Sequence, residues 1–283
     1  MLRTPQKIRV LPLKIQGIKS KIVPYIKELF RAWDMSGIYY EPFMGSGVVG
    51  FNLSPKIAVF SDSNPHIIDF YNAIKRGDLT KDSARAFLIQ EGKNLGKEGQ
   101  EYYLKVRQRF NKGQNSHDFL FLNRSCFNGL MRFNSKGGFN VPYCKKDHRF
   151  TPAYITKITN QIEWVSRRIA QNDYTFLCCD FTQIFKKARG GDFTYCDPPY
   201  IGRHADYFSS WSYTHEEKLH DLLKHTQASF LLSTWHSNAY RQNPYTHHYQ
   251  EYQIKLLDHF YYLGGREENR SAVKEALIQS KNF

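Results

Sequence analysis

Ile38-Tyr39-Tyr40-Glu41-Pro42-Phe43 runs straight into Met44-Gly45-Ser46-Gly47-Val48-Val49-Gly50, and the reading of this junction decides the fold. The first half is a short β-rich run, and the second sets glycines at 45, 47 and 50 in a turn that opens onto apolar residues. A second β-rich run, Lys56 to Ser61, ends at Asp62. Asn64-Pro65 then supplies an N-cap and a first-turn proline for a helix through Ile67, Ile68, Tyr71 and Ile74 that stops at Gly77. Strand, glycine turn, helix, strand, acid, helix is the alternation of a parallel α/β sheet.

Gly45-Ser46-Gly47-Val48-Val49-Gly50 also satisfies the GxGxxG pattern of dinucleotide-binding sheets. The helix after Gly47 has room for only about two turns before Ser54-Pro55 ends it, which argues against a pyrophosphate ligand. The glycines then imply close backbone approach to some nucleoside-bearing ligand, and Asp62 a partner for ribose hydroxyls.

Upstream, apolar residues at 22, 26, 29, 30 and 33 form a helical stripe that tolerates Pro24 in its first turn. A basic entry segment, Lys14-Ile15-Gln16-Gly17-Ile18-Lys19-Ser20-Lys21, precedes it. Downstream the regularity lapses. Residues 92–99 read as a mobile linker, and 100–150, dense in Arg, Lys, Asn and aromatics, as an inserted subdomain. The α/β pattern resumes with a helix from Thr151-Pro152 whose Ile155, Ile158, Ile162, Val165 and Ile169 share one face. A strand from Tyr174 to Cys179, a short helix and a strand from Asp192 to Cys196 follow. Thr214-x-x-Glu217 reads as a capping box opening a further helix. Strand-like runs at 230–235, 259–263 and 275–279 complete the sheet, and 241–272 reads as a flexible loop.

The 192–196 strand stops at Asp197-Pro198-Pro199-Tyr200. Two prolines fix φ and remove two backbone donors, so the chain leaves the sheet in a stiff turn whose carbonyls remain able to accept. A carboxylate, such a carbonyl and an aromatic plate match a planar ring carrying an exocyclic amino group.

The charge of +14, with 40 Lys+Arg against 26 Asp+Glu and 16% aromatics, favours a polyanionic partner. No apolar run approaches the roughly 18 residues of a membrane span, so membrane insertion is not expected. Cysteines at 126, 144, 178, 179 and 196 include no CxxC pair and read as reduced intracellular thiols. His247-His248 reads as a solvated loop pair, and no metal site is expected.

The Phe-x-Gly-x-Gly turn at 43–47, followed about 150 residues later by Asp197-Pro198-Pro199-Tyr200, resembles the Dam family of adenine-N6 DNA methyltransferases. The resemblance extends to Asp62-x-Asn64 and into the insertion, through Leu122-Asn123-Arg124, Phe127-Asn128-Gly129-Leu130-x-Arg132-Phe133-Asn134 and Gly138-Phe139-Asn140-Val141-Pro142-Tyr143. Within the family it most resembles the modification enzyme of the EcoRV restriction system, through Gln16-Gly17-Ile18-Lys19, Glu41 to Gly45 and Ile201-Gly202-Arg203-His204. It implies a Rossmann-like S-adenosylmethionine-dependent sheet formed by 1–80 and 151–283, and a mainly helical target-recognition subdomain with a β-hairpin at 81–150.

It further implies methyl transfer from S-adenosylmethionine to adenine N6 in duplex DNA with the base flipped out. Asp197 and the Pro198 carbonyl would accept from the amino group, and Tyr200 would stack on the base. Whether Asp197 also takes the proton stays open. Cofactor contacts are implied for Lys19, Phe43, Gly45, Gly47, Asp62, Asp180, Phe181 and Asp197, with a helix N-cap as the plain alternative for Asp180. DNA contacts fall on Lys14, Arg124, Phe127, Asn128, Leu130, Arg132, Asn134, Pro142, Lys145 and Lys146. Arg132 and Lys14 are candidates for base edges, and Lys136 and Arg149 join Lys145 and Lys146 as phosphate-facing charge. GATATC is the expected target, with GATC the Dam-like alternative. An RNA methyltransferase, which generally carries Asn at the Asp197 position, and an inactive DNA-binding relative are further alternatives. The expected setting is a cytoplasmic, prokaryotic or phage-encoded monomer, paired functionally with a restriction endonuclease but in no stable complex with it.

Overall fold

The computed structural model describes residues 8–33, 36–201, 211–260 and 272–281. Seven strands form one sheet: β1 (Tyr39–Glu41), β2 (Ile57–Asp62), β3 (Asp173–Cys178), β4 (Phe193–Cys196), β5 (Ser229–Asn238), β6 (Gln253–Phe260) and β7 (Ala272–Gln279). Their order is β3-β2-β1-β4-β5-β7-β6. The first five run parallel, and β7 lies antiparallel between β5 and β6. Tyr40 pairs with Val59 on one side and Thr194 on the other. The strand order therefore reverses at β1, and the crevice of such a sheet opens beyond the carboxyl ends of β1 and β4.

Helix α1 (Val23–Phe30) buries Val23, Ile26 and Phe30, with Pro24 in its first turn as its stripe predicts. Helix α2 (Val48–Leu53) has the two-turn length expected, is buried along its whole length and stops at Ser54 in the left-handed region. Helix α3 (Pro65–Arg76) starts where the Asn64 side chain accepts from the His66 amide and ends at Gly77, φ 83°. The insertion holds α4 (Lys81–Glu98), α5 (Gln100–Gly113) and α6 (Ser116–Ser125); α7 (Pro152–Gln171) leads back into the sheet, with α8 (Phe181–Phe185) and α9 (Tyr213–His225) after it. One apolar core joins sheet and insertion. Phe51 stacks on Phe60 at 5.3 Å, and Phe110, Phe119, Phe121 and Phe139 continue the same cluster. Truncating one such ring to alanine costs about 3–5 kcal/mol.

Several expectations are corrected. Residues 92–99 are not a linker, because α4 runs through to Glu98. Its glycines serve close approach: a Cβ on Gly92 would stand 2.7 Å from the Phe150 Cβ, and one on Gly96 3.4 Å from the His148 ring. The hairpin of the insertion is present but short: Phe133 bridges Phe139 with the Asn134 amide on the Gly138 carbonyl and the Asn140 amide on the Arg132 carbonyl, and Cys126 bridges Tyr143. Left-handed Asn128 and Gly129 and the donorless Pro142 interrupt any longer ladder. Helix α9 is capped at Ser212, which shares a reciprocal bond pair with His215, and not at Thr214. The strand expected at 259–263 lies at Gln253–Phe260, and a 3₁₀ turn occupies Pro244–Tyr249, so this part of 241–272 is not a plain loop. Gly264 to Arg270 and Gly202-Arg203-His204 lie outside the described residues.

Candidate active site and nucleic-acid interface

Strand β4 is buried along its whole length and anchored at its start, where the Asp192 carboxylate accepts from the Ile38 amide at 2.8 Å. It delivers Asp197 to the carboxyl edge of the sheet, where Pro198 and Pro199 end the ladder. The Lys19 ammonium lies 3.1 Å from Asp197 Oδ1 and 3.3 Å from Glu275 Oε1. It also sits 4.7 Å above the Tyr200 ring, whose hydroxyl donates to Glu275 Oε1 at 2.7 Å. Asp197 is the open member of this cluster: its side chain is 21% exposed, against 4% for Lys19 and none for Glu275. Burial lifts the Asp197 carboxyl to about 6; Lys19 pulls it down and Glu275 pushes it up.

Beside it, β1 ends in the glycine turn. Gly45 and Gly47 hold φ values of 47° and 69°, the left-handed region that glycine enters without strain. Asp62, at the end of β2, clamps this turn: Oδ2 accepts from the Gly45 amide and Oδ1 from the Asn64 amide, each at 2.9 Å. The glycine at position 50 faces inward, where a Cβ would collide with the Phe60 ring and the Glu41 carboxylate. That contact explains the GxGxxG pattern as helix packing. Glu41 Oε2 accepts from the Gly50 amide at 2.9 Å and from the Tyr39 hydroxyl at 2.8 Å, and burial raises its carboxyl to about 8.

Phe43 and Phe181 face each other with centroids 5.3 Å apart, and Trp211 closes on both at 5.5 Å. Asp180, just past β3, caps α8 by accepting from the Thr182 amide at 3.0 Å, so the N-cap reading holds for that oxygen. These residues fit a nucleoside-bearing cofactor. Strand-end carboxylates can take hydroxyl and amino hydrogens, aromatic rings can flank a base, and a Cβ on Gly45 would meet only Ile15 Cδ1, at 3.9 Å. Lys19, read as a cofactor contact, is placed on the two carboxylates of the Asp197 cluster.

The candidate DNA residues divide. Phe127 is 51% exposed beside exposed Asn128, at a tip tied down where the Phe127 amide donates to the Pro142 carbonyl at 2.8 Å. Half-buried Leu130 donates back to the Phe127 carbonyl. Exposed Lys14 is held by a two-way backbone bond to the Asn123 side chain, and its stem lies against Gly129, which has no Cβ to obstruct it. Half-buried Arg132 is steered by Asn140: Nε donates to Oδ1 at 2.9 Å and Nη2 to the carbonyl at 3.2 Å. Lys145 and Lys146 are exposed, as is Pro142. Arg124 is a correction. It is 7% exposed and spends its guanidinium on Gln161, Tyr154 and the Leu11 carbonyl, so it braces the fold. Arg149 likewise donates to the Arg124 carbonyl and the Tyr154 hydroxyl. The Asn134 side chain accepts from the Lys136 and Gly138 amides and closes its own turn.

Sequence reasoning missed Glu275 and Glu41. The signal for Glu275 was an acid in phase with Val273 and Leu277 inside the run Val273-Lys274-Glu275-Ala276-Leu277-Ile278. For Glu41 it was an acid at the end of a strand that is otherwise aromatic.

A family model described as D12 class N6 adenine-specific DNA methyltransferase matches residues 16–263. The chain is 32% identical over 219 residues to the type II methyltransferase M1.LlaDCHI of Lactococcus lactis subsp. cremoris, an overlap of 74% of this chain and 72% of that one. It is 33% identical over 165 residues to the DNA adenine methylase of Vibrio cholerae serotype O1, covering 56% of this chain and 55% of that one. Among solved structures, the rRNA methyltransferase aviRa from Streptomyces viridochromogenes overlays at a TM-score of 0.34 with 12% identity, over 92% of this chain and 85% of that chain, too loosely to bear on substrate. The match to the family model spans both the glycine turn and the Asp-Pro-Pro-Tyr turn, and family and fold together imply S-adenosylmethionine as methyl donor. With both turns lying at the switch point of one sheet, the chain belongs to the D12 class of N6 adenine-specific DNA methyltransferases.

Proposed function

We propose that this chain is a sequence-specific methyltransferase that methylates adenine N6 in duplex DNA. The observation that carries the reading is the Asp197 carboxylate at the sheet's switch point. One of its oxygens is held by Lys19, and its side chain stays 21% exposed. When bound, S-adenosylmethionine supplies an electrophilic methyl group. The glycine turn, Asp62, Phe43, Asp180 and Phe181 are the residues to hold it.

The chain's own task is to make an aromatic amino group nucleophilic. The N6 lone pair is delocalised into the ring, and hydrogen bonds from the amino group to Asp197 and to the Pro198 carbonyl favour a pyramidal nitrogen with its lone pair directed outward. N6 cannot be presented this way inside a stacked duplex, so the adenine is flipped out. Because Lys19 covers one face of Tyr200, a base stacking on that ring takes the opposite face. Phe127 and Asn128 fill the space left in the stack. Arg132, aimed by Asn140, reads a guanine edge, and Lys14 another. Lys145 and Lys146 hold phosphate.

The target we assign is GATATC, in functional pairing with a restriction endonuclease. A modified-base map of DNA from cells expressing the wild-type chain or Asp197→Ala tests this. N6-methyladenine confined to GATATC and absent with the variant supports the whole proposal. Methylation at every GATC keeps the chemistry and moves the target. No methylated adenine from folded wild type refutes the reading.

A further inference from the structure

The cluster around Asp197 contains a second carboxylate that the methyl-transfer chemistry does not itself call for. Glu275 is fully buried in the middle of β7, in register with Trp235 of β5 and Leu257 of β6. A buried acid at such a position is destabilising compared with an apolar residue of similar size, unless its partners and its role keep it there. Its partners include two functional groups: the Tyr200 hydroxyl at 2.7 Å and the Lys19 ammonium at 3.3 Å.

The charge count gives the role. A lysine paired with Asp197 alone would form a neutral ion pair, and a neutralised carboxylate is a weaker acceptor than a charged one. A lysine shared between two carboxylates leaves one net negative charge on the cluster. The groups facing Asp197 from the surrounding elements are Lys19 from the entry segment, Glu275 from β7, Glu41 from β1, and its own neighbours Tyr195 and Cys196.

We propose that Glu275 is a positioning residue of this site: by holding the Tyr200 hydroxyl and drawing off part of the Lys19 ammonium, it leaves the Asp197 carboxylate less neutralised and so a stronger acceptor for the substrate amino group. The inference rests on the adenine-methylating reading for the identity of that amino group, and on the geometry alone for the linkage between the two carboxylates.

The test uses the full chain in two readouts. The first follows the Asp197 carboxyl by carbon-13 NMR with labelled aspartate, assigned by its loss in Asp197→Asn. In wild type the carboxyl is expected to titrate at about 6. Glu275→Gln keeps an acceptor for the Tyr200 hydroxyl but removes the charge, so Lys19 shifts toward Asp197 and the midpoint falls by roughly one pH unit. The second readout is single-turnover methylation. Glu275→Gln slows it about tenfold and moves its acid limb down with the NMR midpoint. KM for DNA stays within about twofold, since no phosphate or base contact is touched. Glu275→Asp, which keeps the charge but withdraws it by one carbon, gives intermediate values and serves if the glutamine variant does not fold. An unmoved Asp197 midpoint overturns the proposal whether or not the wild type methylates DNA. A midpoint that falls in a wild-type background with no adenine methylation upholds the linkage and refutes adenine as the substrate.

Discussion

Asp197 combines two properties that oppose each other in water, burial and charge. Burial lifts its carboxyl to about 6, and Lys19 is what keeps it from rising further. The methylation rate is therefore expected to climb as pH rises through about 6, where the carboxylate forms, and to lose that dependence in Asp197→Asn together with at least about 100-fold in rate. A stopped-flow pH series on both proteins checks it. Glu41 gives a separate pH signature, in stability. Its carboxyl sits at about 8 in the fold against 4.5 in a free chain, so the folded state keeps a proton that the unfolded state releases. The Glu41 contribution to stability is present at low pH and is lost as pH rises from about 4.5 to about 8, by at most about 1.4 kcal/mol per pH unit. Glu41→Gln keeps an acceptor for the Gly50 amide and Tyr39 hydroxyl and should flatten that slope in urea melts taken across the range. On the proposed reading, Arg132→Ala should relax specificity at one guanine. Equal losses on cognate and substituted sites would sink the base-reading role.

Elements were legible where a local signal was enough. Asn64-Pro65 starts α3 and Gly77 ends it, and the short span before Ser54-Pro55 sets the length of α2. They were illegible where a distant partner decides. Gly92 and Gly96 look like linker residues until Phe150 and His148 are seen lying against them. Gly92→Ala, which raises intrinsic helix propensity, should therefore lower stability by about 1–3 kcal/mol in thermal or urea unfolding, because its methyl overpacks the Phe150 contact. A stability gain would mean that α4 is not seated on residues 147–150. The same distinction divides the candidate site. The Asp-Pro-Pro-Tyr and glycine turns are contiguous and could be read, whereas Glu275 and the bracing role of Arg124 depend on partners 75 and 113 residues away.

Across the whole molecule, the +14 charge is divided between residues with partners inside the protein and residues exposed on its surface. Arg124, Arg149 and Lys19 belong to the first group, and exposed Lys14, Lys145 and Lys146 to the second. Lys145→Ala should weaken binding to all DNA sequences alike and reduce the slope of log affinity against log salt by about 1, measured by fluorescence titration. A sequence-dependent loss would place Lys145 among the readers of bases instead. The position of β7 carries one more consequence. Lys19 lies near the start of the described residues and Glu275 near their end, and β7 enters between β5 and β6, which are both made before it. On a ribosome, the parallel half of the sheet and the glycine turn can emerge and begin to pack while Lys19 still has only one of its two carboxylates. The order of synthesis thus places the completion of the charged cluster after nearly all of the sheet has been made, so a chain stalled before β7 would present its exposed Phe127 tip without a finished site behind it.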